Sequence, residues 1–324
     1  SAIERAMASA PMRSTAAFCI VATSSAFRVG IPARVTAPQP VIVRADVRAQ
    51  SIMDLLMGSM SDPTMVEPKD ALPGREQKMM IPDRHYVLGN KMDVVPEGHK
   101  VAVFANGCFW GSEKGIWRLP GDGIYSTAVG YCAGFTPNPT YEEACSGRTG
   151  HTEGVRVVYD PAKISFVDIL RWFWEAHDPA SGMGQGNDRG TQYRSGFYWY
   201  DEEQKALIEA SRDAYQKALE AAGKGRSITT EVAAAADYEQ YGGLWYYGES
   251  YHQQYLAKPG ARPYCSAQPQ SVSLPPFESW APAGLEHHAP KLPEAFWKTH
   301  APGAGCRVVA APNEPIEFID LSKM

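Results

Sequence analysis

The chain has 324 residues, 44% of them hydrophobic and 21% charged, with a net charge of −5. That is ordinary globular composition with room for one large domain or two small ones. No Lys/Arg-rich run marks a nucleic-acid surface, and no apolar stretch reaches the roughly 20 residues that span a bilayer. The six cysteines, Cys19, Cys108, Cys132, Cys145, Cys265 and Cys306, form no C-x-x-C pair. Zinc-finger and dithiol-motif readings therefore lapse, and the cysteines read as individual thiols.

Residues 1–50 hold six Arg, no Lys and only two acids, Glu4 and Asp46. Arg-rich, Ser-rich, acid-poor composition is that of a disordered organellar transit peptide, plastid rather than mitochondrial in character. Residues 51–98 read as a linker with one short helix, on the helical spacing of Ile52, Leu55, Leu56 and Ser59. From Lys100 the pattern becomes regular. Val101–Ala105 is an apolar run expected as a buried strand, and Glu113–Leu119 a helix closed by Pro120 and Gly121. Strands are expected over Ile124–Tyr131 and Val155–Tyr159. Phe166, Ile169, Leu170 and Phe173 recur at helical spacing up to His177-Asp-Pro179. A strand over Ser195–Tyr200 precedes a helix to Ala222 that Asp201 and Gln204 open as a capping box. A last strand is expected over Ser227–Val232. This β-α-β-β-α-β order with an added α-β predicts an α+β fold: a two-layer sandwich of ferredoxin-like plait type with extra strands. The domain runs over 99–265, followed by an irregular Pro-rich segment over 266–324.

Cys108 follows a strand, comes after Gly107 and opens a helix. A helix N-terminus carries unpaired N–H groups and partial positive charge, which stabilise a thiolate. Gly107 lets the backbone turn and leaves space above the sulfur. Phe109 and Trp110 supply an apolar wall. Taken alone, Cys108 reads first as a buried structural thiol, since free Cys is among the most buried residue types.

The surrounding residues bear on that choice. Gly107-Cys-Phe-Trp-Gly111 resembles the signature of the A-type peptide methionine sulfoxide reductases. So, in register, do Tyr131-Cys-Ala-Gly-Phe-Thr-Pro-Asn-Pro-Thr-Tyr141, Thr149-Gly-His-Thr-Glu153, Gln185-Gly-Asn-Asp188, Gly190-Thr-Gln-Tyr-Arg194 and Tyr251-His-Gln-Gln-Tyr-Leu256. The resemblance covers about residues 71–281. It implies a nucleophile at Cys108, a proton donor at Glu153, oxygen-holding phenols at Tyr141 and Tyr193, and an anchoring carboxylate at Asp188. Gly107, Phe109 and Trp110 are expected to bind the methyl-bearing end of a methionine-S-sulfoxide. Cys265 is the expected resolving thiol, with thioredoxin as external reductant, oxidised proteins as substrates and no cofactor or metal. A monomer is expected. Two C-terminal cysteines in such families lie closer together than Cys265 and Cys306, so Cys265 is expected to act alone. Cys132 and Cys145 are expected to be buried.

Two other readings remain open on the residues alone. A Cys-His hydrolase could draw on His151, His177 or His252 to activate Cys108. A non-enzymatic sulfoxide-binding module would need only the pocket.

Overall fold

In the computed structural model the described residues are 63–303 and 307–318. The expected transit segment, the short helix over Ile52–Ser59 and Cys306 lie outside them. Strand β1 (Lys100–Asn106), with every side chain from Ala102 onward buried, runs through the middle of a sheet. It pairs antiparallel with β3 (Thr152–Tyr159) on one side and β6 (Ser195–Trp199) on the other. Strand β2 (Ile124–Cys132) lies against β3 in a register that sets Tyr131 opposite Glu153. Two edge strands complete the order β7-β6-β1-β3-β2-β8, β7 (Glu231–Ala234) parallel to β6 and β8 (Trp245–Tyr247) antiparallel to β2. A separate two-stranded ribbon joins β4 (Gly184–Gln185) and β5 (Asp188–Arg189).

Helices α1 (Phe109–Trp117), α3 (Phe166–Glu175) and α4 (Glu202–Ala221) supply the main core. Phe104 of β1 packs against Phe173 of α3 and Phe197 of β6, with ring centroids 5.5 and 5.6 Å apart. Alternation along the strands sends Val103, Ala105, Cys132 and Tyr198 into a second, smaller cluster with Tyr238 and Leu244. Cys132 is fully buried there, as expected. Between β2 and β3 lies the single-turn α2 (Tyr141–Cys145), opened by a capping box of Thr140 and Glu143.

Several boundaries differ from the sequence expectation, each for a visible reason. Helix α1 begins at Phe109, not Glu113, because the backbone turns at Gly107 and Cys108 is itself the N-cap. The cap of α4 is half a capping box: Asp201 Oδ1 accepts from Gln204 N at 2.8 Å, but Gln204 Oε1 accepts from Tyr200 N at 2.9 Å. Gln204 Nε2 meanwhile donates to Val101 O at 2.9 Å, fastening α4 to β1. The strand expected over Ser227–Val232 starts at Glu231, because Ile228 N donates to Gln216 Oε1 and Thr229 N to Pro179 O, and it is followed by β8, which the sequence reading lacks. Those donors are therefore lost to a strand ladder.

Residues 63–98 are fastened to the domain through Leu72 N to Arg148 O at 3.0 Å, the Arg75–Glu143 ion pair at 2.5 Å and His85 with Thr127 at 2.8 Å. The C-terminal segment is irregular as expected, apart from 3-10 turns and α5 (Glu294–His300), which buries Phe296 and Trp297. The Asp168 carboxylate accepts from Lys291 N at 2.8 Å and Leu292 N at 3.2 Å. Lys114 Nζ, projecting from α1, donates to Ala311 O at 2.8 Å and Asn313 Oδ1 at 2.9 Å. The segment thus straps across α1, the helix that Cys108 caps. Among the described residues no helix is long and apolar enough to cross a membrane.

Candidate active site

The backbone of Gly107 takes φ +95°, open to glycine and strained for other residues. A Cβ there would stand 2.7 Å from Gln185 Cγ, and Gln185 is held in place by Asp178 N and O. This turn delivers Cys108 to the head of α1 and into a cavity of about 250 Å³. Phe109, Trp110, Tyr141, Glu153, Asp188 and Tyr193 line the same cavity, so it gathers all but two of the residues singled out in the sequence. Gly107 shapes the turn without lining the cavity, and Cys265 lies elsewhere.

Glu153 enters from β3 and is almost fully buried. Its Oε2 accepts from Phe109 N at 3.1 Å, which satisfies one of the free N–H groups at the start of α1. Burial raises its pKa to about 8, with the nearby Asp188 carboxylate adding to the effect and the Phe109 N–H opposing it. A carboxylic acid therefore persists in the cavity at neutral pH.

Cys108 departs from the expectation of a helix-lowered thiol. The backbone N–H groups of Trp110 and Gly111 do favour the thiolate. Desolvation outweighs them, and Glu153 adds repulsion, so the thiol is pushed well above its ordinary range. Cys108 is a free, half-buried thiol, and in the substrate-free site it holds its proton.

The phenols of Tyr141 and Tyr193 are raised mainly by burial and remain protonated donors. Tyr141 opens α2, where its N–H donates to Glu249 Oε1 at 2.8 Å. Glu249 Oε2 takes the Tyr131 hydroxyl at 2.7 Å. Trp110 stacks on Tyr255 with centroids 3.9 Å apart, and its indole N–H donates to His252 Nδ1 at 3.1 Å. Because indole is only a donor, Nδ1 is the acceptor and neutral His252 carries its proton on Nε2. Burial lowers the His252 pKa to about 4, which keeps the ring neutral at physiological pH.

Asp188 does not reach out alone. Its carboxylate accepts from Tyr264 Oη at 2.5 Å and from Ser266 Oγ, gripping the residues on either side of Cys265. Tyr264 and Arg262 line the same cavity as Cys108. Cys265 instead lines a neighbouring cavity of about 200 Å³ against Gly111, Ser112 and Gly115 of α1. It is disulfide-bonded, whereas Cys108, Cys132 and Cys145 are free thiols. Cys145, expected to be buried, is half-exposed and hydrogen-bonds the Tyr141 phenol.

Of the histidines a hydrolase would need, His151 Nε2 bonds Thr136 O at 2.7 Å and His177 is tied to Phe173 O and Ser195 Oγ. Neither lines the cavity. His252 does, but its Nδ1 is taken by Trp110. Three residues escaped the sequence reading. Glu249 holds Tyr131 and Tyr141 together. Glu113 and Gln254 form a buried pair behind α1, joined by Gln254 N at 2.8 Å and Gln254 Nε2 at 2.7 Å. Glu249 and Gln254 lie next to or inside the Tyr251–Leu256 motif, the one available signal for them.

Comparison with known proteins agrees with this geometry. Residues 100–279 match the family model described as peptide methionine sulfoxide reductase. Peptide methionine sulfoxide reductase MsrA 2 of Nostoc is 54% identical over 217 residues, which cover 66% of this chain and 93% of that protein. MsrA 1 of Synechocystis is 51% identical over 212 residues, covering 65% and 90%. The solved structure of methionine sulfoxide reductase A from Corynebacterium diphtheriae superposes with a TM-score of 0.55 at 42% identity, covering 63% of this chain and 94% of that one. The chain belongs to the peptide methionine sulfoxide reductase family, A type, and is an oxidoreductase of the peptide-methionine (S)-S-oxide class.

Proposed function

We propose that Cys108 attacks the sulfur of a peptidyl or free methionine-S-sulfoxide while Glu153 protonates the departing oxygen. The observation that carries this reading is the single cavity shared by a thiol, a protonated carboxyl, two phenols and an aromatic wall. Phe109 and Trp110 take the S-methyl end. Burying one such group contributes about 0.8 kcal/mol, enough to orient the sulfur and too little to bind the substrate alone. Tyr141 and Tyr193 donate to the sulfoxide oxygen. As the Cys108 S–S contact forms, the S–O bond weakens and its oxygen accepts the Glu153 proton. Collapse transfers the hydroxyl to Cys108, giving a sulfenic acid and methionine, and the Cys108 thiol proton passes to the Glu153 carboxylate and restores the acid: the thiol is oxidised by two electrons and the sulfoxide reduced by two.

A second thiol then resolves the sulfenic acid, forming a disulfide and releasing water. Cys265 is our candidate, one residue beyond Tyr264, which already lines the cavity. Because Cys265 is disulfide-bonded, a dithiol reductant has to open that bond before Cys265 can act. Thioredoxin is the proposed reductant, acting on a monomeric enzyme that needs no cofactor. Delivery to the plastid is proposed from the composition of residues 1–50. The central strand order β6-β1-β3-β2, with helices following β1 and β3, supports a ferredoxin-like plait extended by β7 and β8.

Turnover of a peptide carrying resolved methionine sulfoxide epimers, with dithiothreitol as reductant, tests the assignment. Reduction of the S epimer should vanish in Cys108→Ser. Full activity in that variant refutes it, and ester cleavage without sulfoxide reduction moves the site to a hydrolase.

A further inference from the structure

The C-terminal strap lies largely beyond the residues matched to the family, and it carries a feature unrelated to the thiol site. His287 and His288 form a 3-10 turn over 286–288, laid against the first turn of α4. Their ring nitrogens and a carboxylate oxygen of Glu203 all lie within 4.8 Å of one another. His288 Nε2 stands 3.1 Å from Glu203 Oε2, and His287 Nε2 stands 4.0 Å from it. Zinc held at about 2.0–2.1 Å by nitrogen and oxygen places neighbouring tetrahedral ligands roughly 3.3–3.5 Å apart. One pair is already near that spacing, and the other closes by a small swing of His287, whose side chain is 60% exposed and free to move.

His288 is far less free. Its side chain is only 12% exposed, and its carbonyl accepts the hydroxyl of Ser165, the N-cap of α3. Three residues on, the backbone at Lys291 and Leu292 is clamped by Asp168. The imidazole is thus presented from a fixed backbone, which lowers the ordering cost of binding. Two imidazoles and one carboxylate are a donor set for a borderline divalent transition ion, with a fourth position left to water. We propose that Glu203, His287 and His288 form a binding site for a divalent transition cation, zinc by ligand chemistry, that clips the C-terminal strap to α4.

Lys100 is the group that opposes it. Its ammonium lies 3.7 Å from Glu203 Oε2 and equally 3.7 Å from Asp201 Oδ2. Asp201 offers Lys100 a second carboxylate, so a bound cation displaces it without leaving it unpaired. The site therefore predicts an unusual sign: removing a surface lysine should tighten binding. Two like charges at this range in water correspond to about a fivefold change in affinity per unit charge, and a divalent ion feels more.

The test uses the full chain with its free thiols alkylated, so that Cys108 cannot take the metal. Zinc titration followed by calorimetry should show one saturable site. Cu²⁺ as a second probe should give a spin-resonance spectrum with splitting from two nitrogens. Glu203→Gln and His287→Gln should each weaken zinc by more than about tenfold, the scale of losing a supporting group or more. Lys100→Gln should tighten it about fivefold. Zinc should also slow hydrogen exchange over residues 283–303, a readout independent of catalysis. Absence of saturable uptake, binding unchanged in both ligand variants, or a spectrum with no nitrogen coupling overturns the proposal. The His287→Gln result does not depend on preserving the packed His288, so a folding defect cannot mimic it.

Discussion

Glu153→Gln separates proton donation from every other role of this side chain. The amide keeps the shape and still accepts the Phe109 N–H that Glu153 receives at 3.1 Å. It has no proton to give. With the Glu153 pKa near 8 rather than 4.5, about 90% of the side chain is protonated at pH 7, against roughly 0.3% for an ordinary glutamate. Burial therefore raises the available acid about 300-fold, and loss of general acid catalysis typically costs 10²–10⁴-fold. The single-turnover rate of sulfoxide reduction, measured by rapid quench at pH 7, should fall by about 10²–10³. In the native enzyme that rate should decline as pH rises through about 8, where Glu153 loses its proton, and the variant should lack this limb. The same substitution removes a charge that repels the Cys108 thiolate, so alkylation of Cys108 by iodoacetamide at pH 8–9 should accelerate. Stability supplies an independent sign. The folded carboxyl titrates near 8 and the unfolded one near 4.5, so between these values the folded state holds an extra proton and loses stability as pH rises. At pH 8 Glu153→Gln should be more stable than the native chain, by about 1–3 kcal/mol. An unchanged single-turnover rate with the pH limb intact refutes the assignment of Glu153 as the acid.

Gly107→Ala forces a methyl group against Gln185 at φ +95°. It should lower stability by about 1–3 kcal/mol in urea titration and misplace Cys108, with single turnover falling more than thermal stability alone explains. Lys114→Met leaves the Ala311 carbonyl and the Asn313 amide without their donor. Hydrogen exchange over 307–318 should rise, and stability should fall by about 1–3 kcal/mol; unaltered exchange would show that the strap is held elsewhere. Cys265→Ser should keep one turnover, read as one methionine per enzyme without reductant, and lose thioredoxin-driven cycling. If Cys306→Ser shows that phenotype instead, the resolving thiol is Cys306.

The grouping of the candidate site is legible in the sequence because most of its residues sit in short motifs whose local geometry follows from their residues. Gly107 before Cys108 means a turn into a helix start, and the apolar runs at Val101–Ala105 and Val155–Tyr159 are the strands that carry Cys108 and Glu153 to one end of the sheet. What escaped depends on long-range pairing. Glu249 acts on Tyr131 and Tyr141, 118 and 108 residues earlier in the chain, and no local pattern announces that. The strap reads as irregular because its order comes from partners on other elements, Asp168, Lys114 and Arg171, whose guanidinium pairs with Glu294, and little of it from its own periodicity. The late start of β7 has the same origin, since Gln216 and Pro179 claim the donors of Ile228 and Thr229. The ionisation of Cys108 departs from the sequence expectation for a related reason. A helix N-terminus is visible in sequence, but the desolvation that outweighs it is not.

The raised Cys108 pKa bears on how the site works. Cys108 and Glu153 share one small cavity, where burial raises both and an ionised Glu153 adds to the cost of ionising Cys108. Tyr141 and Tyr193 are protonated there as well. A neutral thiol is a poor nucleophile toward peroxide and toward other disulfides, so Cys108 is shielded from oxidation without turnover. A sulfoxide changes the balance, because its polar S–O bond brings an oxygen that accepts from the phenols and from Glu153 and a sulfur that draws the Cys108 lone pair. Proton donation and nucleophile formation then become one event, in which the Cys108 lone pair enters the new S–S bond and no free thiolate stands beside an ionised Glu153. On this account the elevated Cys108 pKa is a source of selectivity. The helix N-terminus serves chiefly to hold negative charge on sulfur as it develops, after the substrate is in place.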